Sequence, residues 1–168
     1  MKKIYPVVSR DTPRRLLTEH FRDTPGELPI RGGWGYTMND ACIIDKEDPI
    51  VDPKIPFHGT SIEYIFAELR TYEELIFFRD DGEKFYDIKL ELKEQRLLSD
   101  GDRSFDQLIM TVQAIPENDW NELKSEFEGP LGISNPNFDL IAFIKKREGK
   151  TVSLTREFWF DITSFFGK

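Results

Sequence analysis

Histidine and cysteine are few in this chain, and most of the motifs that could carry chemistry lie before residue 62. Arg31-Gly32-Gly33-Trp34-Gly35-Tyr36 places three glycines within four positions. Such a loop can adopt positive φ and let backbone N–H groups approach and cradle an anion. It lacks the Lys-Ser/Thr of a phosphate-binding loop and the spacing of a dinucleotide fingerprint. The expected role is therefore a tight turn that seats Trp34 and Tyr36 against the core. An acidic run follows: Asp40, Asp45, Glu47, Asp48 and Asp52. Clustered carboxylates can hold Mg²⁺ or Ca²⁺. Here Ile50 stands where an EF-hand loop beginning at Asp45 needs glycine. Asp100, Asp102, Ser104 and Asp106 alternate, and a solvated hairpin tip accounts for them. No metal ligand set is expected from either run.

The nucleophiles and bases point the same way. Cys42 lies between Ala41 and Ile43, and apolar surroundings keep a thiol protonated and inert. No Gly-x-Ser-x-Gly elbow occurs. His20 falls near the end of a first helix, where a cation suits the dipole. His58 precedes Gly59-Thr60, ahead of a second helix. Together with Gly33 it marks where a pocket would sit if the chain were an enzyme.

The elements that must position these residues follow from periodicity. Residues 3–8 are expected as a short strand, with Pro6 marking an edge. Asp11-Thr12-Pro13 starts a helix whose apolar face is Leu16, Leu17 and Phe21. Residues 23–60 form a Gly/Pro-rich irregular segment holding Pro25, Pro29, Pro49, Pro53 and Pro56. Within it only Ala41-Cys42-Ile43-Ile44 has the character of a buried strand. Thr60 and Glu63 have capping-box spacing, and Ile62, Ile65, Phe66, Leu69, Tyr72 and Ile76 predict a helix over 61–77. Ile88, Leu90 and Leu92 alternate with charges, and Leu108, Met110, Val112 and Ala114 return, so 85–115 is expected as a β-hairpin. A short helix carries Trp120, Leu123 and Phe127 and ends at Gly129-Pro130. A second hairpin is expected from 140–144 and 151–162 around the turn Arg147-Glu148-Gly149-Lys150, with Phe158-Trp159-Phe160 as a central strand. The expected fold is one α+β domain over 1–168: a mainly antiparallel sheet of consecutive hairpins, with about three helices packed on it.

Composition bounds the function. The chain has 168 residues, with 23 Lys plus Arg against 31 Asp plus Glu, a net charge of −8. That balance opposes a phosphate backbone, so no nucleic-acid partner is expected. One cysteine closes no internal disulfide, and with two histidines it builds no Cys-rich zinc site. Fourteen phenylalanines and a 13% aromatic share supply a sizeable core. Met1-Lys2-Lys3 is followed by an apolar run too short for a secretory signal, and no apolar stretch reaches membrane-spanning length. A cytoplasmic location without membrane contact is the expectation. No cofactor signature is recognised.

Two resemblances bear on function. Pro29 to Asp45 (PIRGGWGYTMNDACIID) and the acidic α+β layout resemble bacterial toxin-immunity proteins. That resemblance implies a protein-binding module, an inhibitor or immunity factor steered to a basic partner protein. Trp34, Tyr36, Asp45, Glu47 and Asp48 are the candidate contacts. Phe57-His58-Gly59-Thr60-Ser61 resembles the first nicotinamide-pocket motif of ADP-ribosyltransferases, which implies an enzyme with Glu91 or Glu157 as the later glutamate. The middle motif of that family is missing. A third class is a homo-oligomer paired through the aromatic C-terminal stretch Phe158 to Phe166.

Overall fold

A computed structural model of the chain describes residues 6, 7 and 9–168. The strand expected over 3–8 falls mostly outside the described residues. The first helix, α1 (Pro13–His20), begins as its sequence demands. Pro13 occupies the first turn, and the Thr12 hydroxyl accepts the Arg15 N–H. The irregular segment then contributes β1 (Ile30–Gly32), a 3₁₀ turn (Met38–Asp40) and β2 (Cys42–Ile44).

The long helix α2 (Gly59–Tyr72) continues into a π-helical turn (Glu73–Phe77). Its extent agrees with the periodicity of the apolar positions, but its start does not. His58 is the N-cap and no side chain caps the helix, so the Thr60–Glu63 capping box does not form. Glu63 is instead buried one turn inside the helix.

Strands β3 (Phe85–Asp100) and β4 (Arg103–Pro116) form the long hairpin, turning at Gly101 with φ +61°. Helices α3 (Glu117–Glu128) and α4 (Leu140–Lys150) follow, and then β5 (Val152–Asp161). The second hairpin does not exist. Residues 140–150 are helical, opened by Asp139, whose carboxylate accepts the Ala142 N–H at 3.0 Å. The supposed turn Arg147 to Lys150 is the last turn of α4. A five-residue apolar run suits either a buried strand or a helix, and the cap at Asp139 decides for the helix.

The five strands lie in the order β1-β2-β5-β4-β3. All neighbours are antiparallel except β2 and β5, which run parallel with Cys42 opposite Phe160. The sheet is thus mostly rather than wholly antiparallel, and among the described residues it carries four α-helices rather than about three. β5 is central, as its aromatics suggest. β4 takes one of its edges and β2 takes the other at Phe160 and Asp161, so neither residue has a free backbone edge for strand pairing.

The main core lies between α2 and one face of the sheet. Phe66 meets Phe160 edge-on at 5.6 Å and Trp34 at 6.5 Å. Cys42, Ile44, Leu108, Met110 and Phe158 fill the same layer. A smaller cluster of Ile115, Leu123 and Phe143 holds α3 and α4 at one end of the sheet. No helix among the described residues is long and apolar enough to cross a membrane.

Candidate docking face

In a strand successive side chains alternate between faces, so a sheet covered on one side leaves a second set of residues to face something else. The burial of β5 alternates in this way. Phe158 and Phe160 are buried toward α2, while Thr155, Glu157 and Trp159 project from the other side. The ladder aligns that second set across three strands. Gln107 lies between Arg96 and Trp159, Ile109 between Glu94 and Glu157, and Thr111 between Glu91 and Thr155. Toward its Ile115 end this face meets α3 and α4, whose Leu123 and Phe143 pack with Ile115; Thr155, Glu157 and Trp159 are not part of that cluster.

The open face is polar with apolar inserts. Trp159 is half-buried, and its indole N–H donates to Glu157 Oε2 at 3.4 Å. At one end Arg103 lies over the Phe105 ring at 4.8 Å and bonds Asp161 at 2.9 Å. Burial works against the Asp161 charge, but Thr163 and Arg103 together hold its carboxyl below the usual range. At the other end stands α4. Its Ile144 and Arg147 join Lys89, Gln113 and Ser153 around a groove of about 520 Å³. Arg147 is fixed there by Asp87 at 2.6 Å. Beyond the groove α4 presents Leu140, Ile141 and Ile144 to solvent, Ile141 being 70% exposed. The preceding loop adds Leu131, 78% exposed, and Ile133.

The covered face holds the unusual electrostatics. Arg70 is 0% exposed. Its guanidinium donates to the carbonyls of Trp34 and Gly35 (both 3.0 Å) and of Glu157 (2.7 Å). It stacks between the rings of Tyr36 (4.1 Å) and Phe158 (3.8 Å). Glu74 lies 3.4 Å from Arg70 and 3.0 Å from Arg156. The Tyr36 hydroxyl donates to Glu74 at 2.6 Å and accepts the Val7 N–H at 2.7 Å. Burial pushes the Arg70 guanidinium below its ordinary value, and Glu74 opposes that shift. Nearby, His20 Nδ1 lies 2.5 Å from Glu73, while burial drives the Glu73 carboxyl upward against the pull of His20. At the other end of α2, Glu63 is buried against Asp106, which accepts from Gln95 at 2.6 Å. Burial first, and then the hydrogen bond to Asp106, push Glu63 up to about 9.

The residues expected to carry function are dispersed by the fold. Trp34 is 7% exposed and packs in the core, as the tight-turn reading of its loop expects and against its place among the candidate contacts. Tyr36 is half-buried within the Arg70–Glu74 network. The glycine loop turns carbonyls inward to an arginine, so its backbone serves a buried cation rather than an anion. Gly33 packs against the Asp40 backbone, which leaves no room for a Cβ. Asp48, expected on the surface, is buried in an ion pair with Arg14, which holds its carboxyl below the usual range. Asp45 lies 3.6 Å from Arg31. Glu47 and Asp52 are exposed, with no ion pair among the described residues.

His58 is exposed at the start of α2, on the covered side of the sheet, whereas Glu91 and Glu157 project from the open side. The ADP-ribosyltransferase pairing therefore does not assemble. Burial pushes the Cys42 thiol up, as its apolar neighbours imply. No cluster of three or more His, Cys, Asp or Glu suited to a metal occurs among the described residues.

Sequence reasoning missed Arg70, Glu74, Glu63 and Asp106. A signal was present. Glu63, Arg70 and Glu74 share the α2 stripe of Phe66 and Ala67 at i+3 and i+4 spacing, and charges on an apolar stripe mark buried partners. Compared with family profiles, with curated proteins and with solved structures, the chain matches none.

Proposed function

We propose that this chain is a protein-binding module of the inhibitor type that docks a partner protein on its open sheet face. The observation that carries the reading is the run Leu140, Ile141 and Ile144, exposed along α4 beside the sheet face that carries Thr155, Glu157 and Trp159. Apolar side chains grouped inside a polar frame are the usual anatomy of a docking site. Trp159 serves as the aromatic anchor, since tryptophan is enriched among the few residues that dominate binding energy. The groove between α4 and Lys89–Gln113 receives a side chain of the partner. The net charge of −8 gives the encounter its direction, toward a basic protein. Most acids of the 40–52 run are tied up internally, so this is a field of the whole molecule rather than a local acidic patch.

Affinity capture from the native cell tests the proposal, using wild type, Ile141→Lys and Trp159→Ala at low and high salt. A basic protein is expected on wild type, weaker in salt and lost from both variants. A partner retained equally by both variants removes the docking face. Binding indifferent to salt removes the steering component.

A further inference from the structure

The sheet ends in two very different edges. β1 is three residues long, whereas β3 runs from Phe85 to Asp100 and is the outermost strand on its side. Apart from the ladder to β4, no backbone hydrogen bond engages residues 88–100 among the described residues. A long row of unpaired N–H and C=O groups invites another strand. Native edges usually repel pairing with charges and bulges, and β3 has both. Lys93 is an extra residue between Leu92, opposite Met110, and Glu94, opposite Ile109.

The bulge decides what the edge complements. It switches the alternation, so that Leu90, Leu92, Gln95 and Leu97 lie on the α2 side while Lys89, Glu91, Glu94 and Arg96 lie on the open side. Directly opposed residues of an antiparallel pair share a face. If two β3 strands meet about a two-fold axis between Lys93 and Glu94, the opposed pairs on either side of the bulge from Leu90 to Leu97 meet that condition. Glu91 then faces Arg96, Lys93 faces Glu94, Leu90 faces Leu97 and Leu92 faces Gln95. Each charge meets its opposite. Leu97, 57% exposed, gains apolar cover from Leu90. Without the bulge the same register would set residues from opposite faces against each other.

We propose that a second copy of this chain is the occupant of the β3 edge, joining two five-stranded sheets into one continuous antiparallel sheet. A two-fold contact uses the same surface on both copies and closes after two, and the three-residue β1 edges at the far ends offer little for further growth. The open faces of both copies stay accessible, so this assembly is separate from partner docking.

Sedimentation velocity of the intact chain over a wide concentration range is the test, comparing wild type, Glu91→Arg, Arg96→Glu and the double variant E91R/R96E. Each single change sets like charges opposite each other twice per dimer, and the double change restores opposite charges. The mass is expected to rise from 19.7 kDa toward twice that value for wild type and the double variant. Each single variant should associate roughly tenfold more weakly. Unchanged circular dichroism and melting in all four show that the effect is on association. A wild type that stays monomeric at every concentration overturns the proposal. So does a dimer that ignores the single changes, or one that the double change fails to restore.

Discussion

On the α2 side of β5, Phe158 and Phe160 lie sealed under Phe66 and Arg70; on the other side of the same strand, Glu157 is exposed and Trp159 is half-buried. The sealed side combines aromatic burial with a guanidinium that has lost all its water. Its cost is offset by three carbonyls, two rings and Glu74. The other side places polar groups in surface pairs such as Arg96 with Glu94, and exposes part of Trp159 beside an aliphatic helix edge. The contrast separates two jobs that share one sheet. Stability resides on the covered face, where partners are fixed and desolvated. Under the proposed function, recognition falls to the other, where a change is expected to alter contacts without disturbing the fold.

The largest effect expected from breaking this division is at Arg70. In Arg70→Met the side chain keeps much of its volume, but the carbonyls of Trp34, Gly35 and Glu157 lose their donor and Glu74 keeps only Arg156 and Tyr36. Breaking a buried pair while one charge stays behind costs about 3–5 kcal/mol. Urea unfolding should show that loss as a lowered midpoint at unchanged slope. A loss too small to resolve would mean that the network is incidental to the covered face.

A second effect on the same face depends on pH. Glu63 is held protonated up to about 9 in the folded chain, against an ordinary value of 4.5. Between those values the unfolded chain binds fewer protons than the folded one. Stability therefore falls as pH rises, by as much as about 1.4 kcal/mol per pH unit for one proton. The contribution is fully present below the unfolded value and gone above the folded one. Glu63→Gln has no proton to lose, so it should flatten the slope between about pH 6 and about pH 9 and be more stable than wild type at the alkaline end. Glu73, also pushed up by burial, leaves a residual slope of the same sign. Denaturation curves at the two pH values decide it, and parallel slopes in wild type and variant would remove the assignment.

Much of the covered face was legible in the chain, because periodicity reports burial. The spacing of Ile62, Phe66 and Leu69 gave α2, the alternation of Leu108 to Ala114 gave β4, and the aromatics of 158–160 marked a central strand. The features that stayed hidden are those where local pattern underdetermines the partner. The run 140–144 is apolar whether strand or helix, and Gly149 reads as a turn although it lies inside α4. Trp34 read both as a core seat and as a surface contact, and Asp48 looked like a surface residue, because they sit among glycines, prolines and acids. Only three-dimensional contact supplies Phe66 for the one and Arg14 for the other. Nothing in the order of residues announces a bare face, since alternation says which side a residue takes and not whether a helix will cover it.

The smallest stability effects belong to that bare side, and they sharpen the comparison because they should come with the largest loss of binding. Ile141 has most of its side chain in water, so Ile141→Lys removes little buried apolar area, and lysine is also a good helix former. The melting free energy should shift by no more than about 0.5 kcal/mol. Trp159 is half-buried among Gln107, Glu157 and Arg96, and Trp159→Ala should cost somewhat more, about 1 kcal/mol. On the covered face a change of comparable size, Phe66→Ala, should cost about 3–5 kcal/mol because the cavity it opens is closed on all sides. The ratio between these losses is the measurement that matters. If Trp159→Ala and Ile141→Lys unfold the chain as readily as Phe66→Ala does, the open face is a structural surface already engaged within the chain. If they leave stability almost untouched while abolishing capture of the partner, the two faces divide the work as their burial implies.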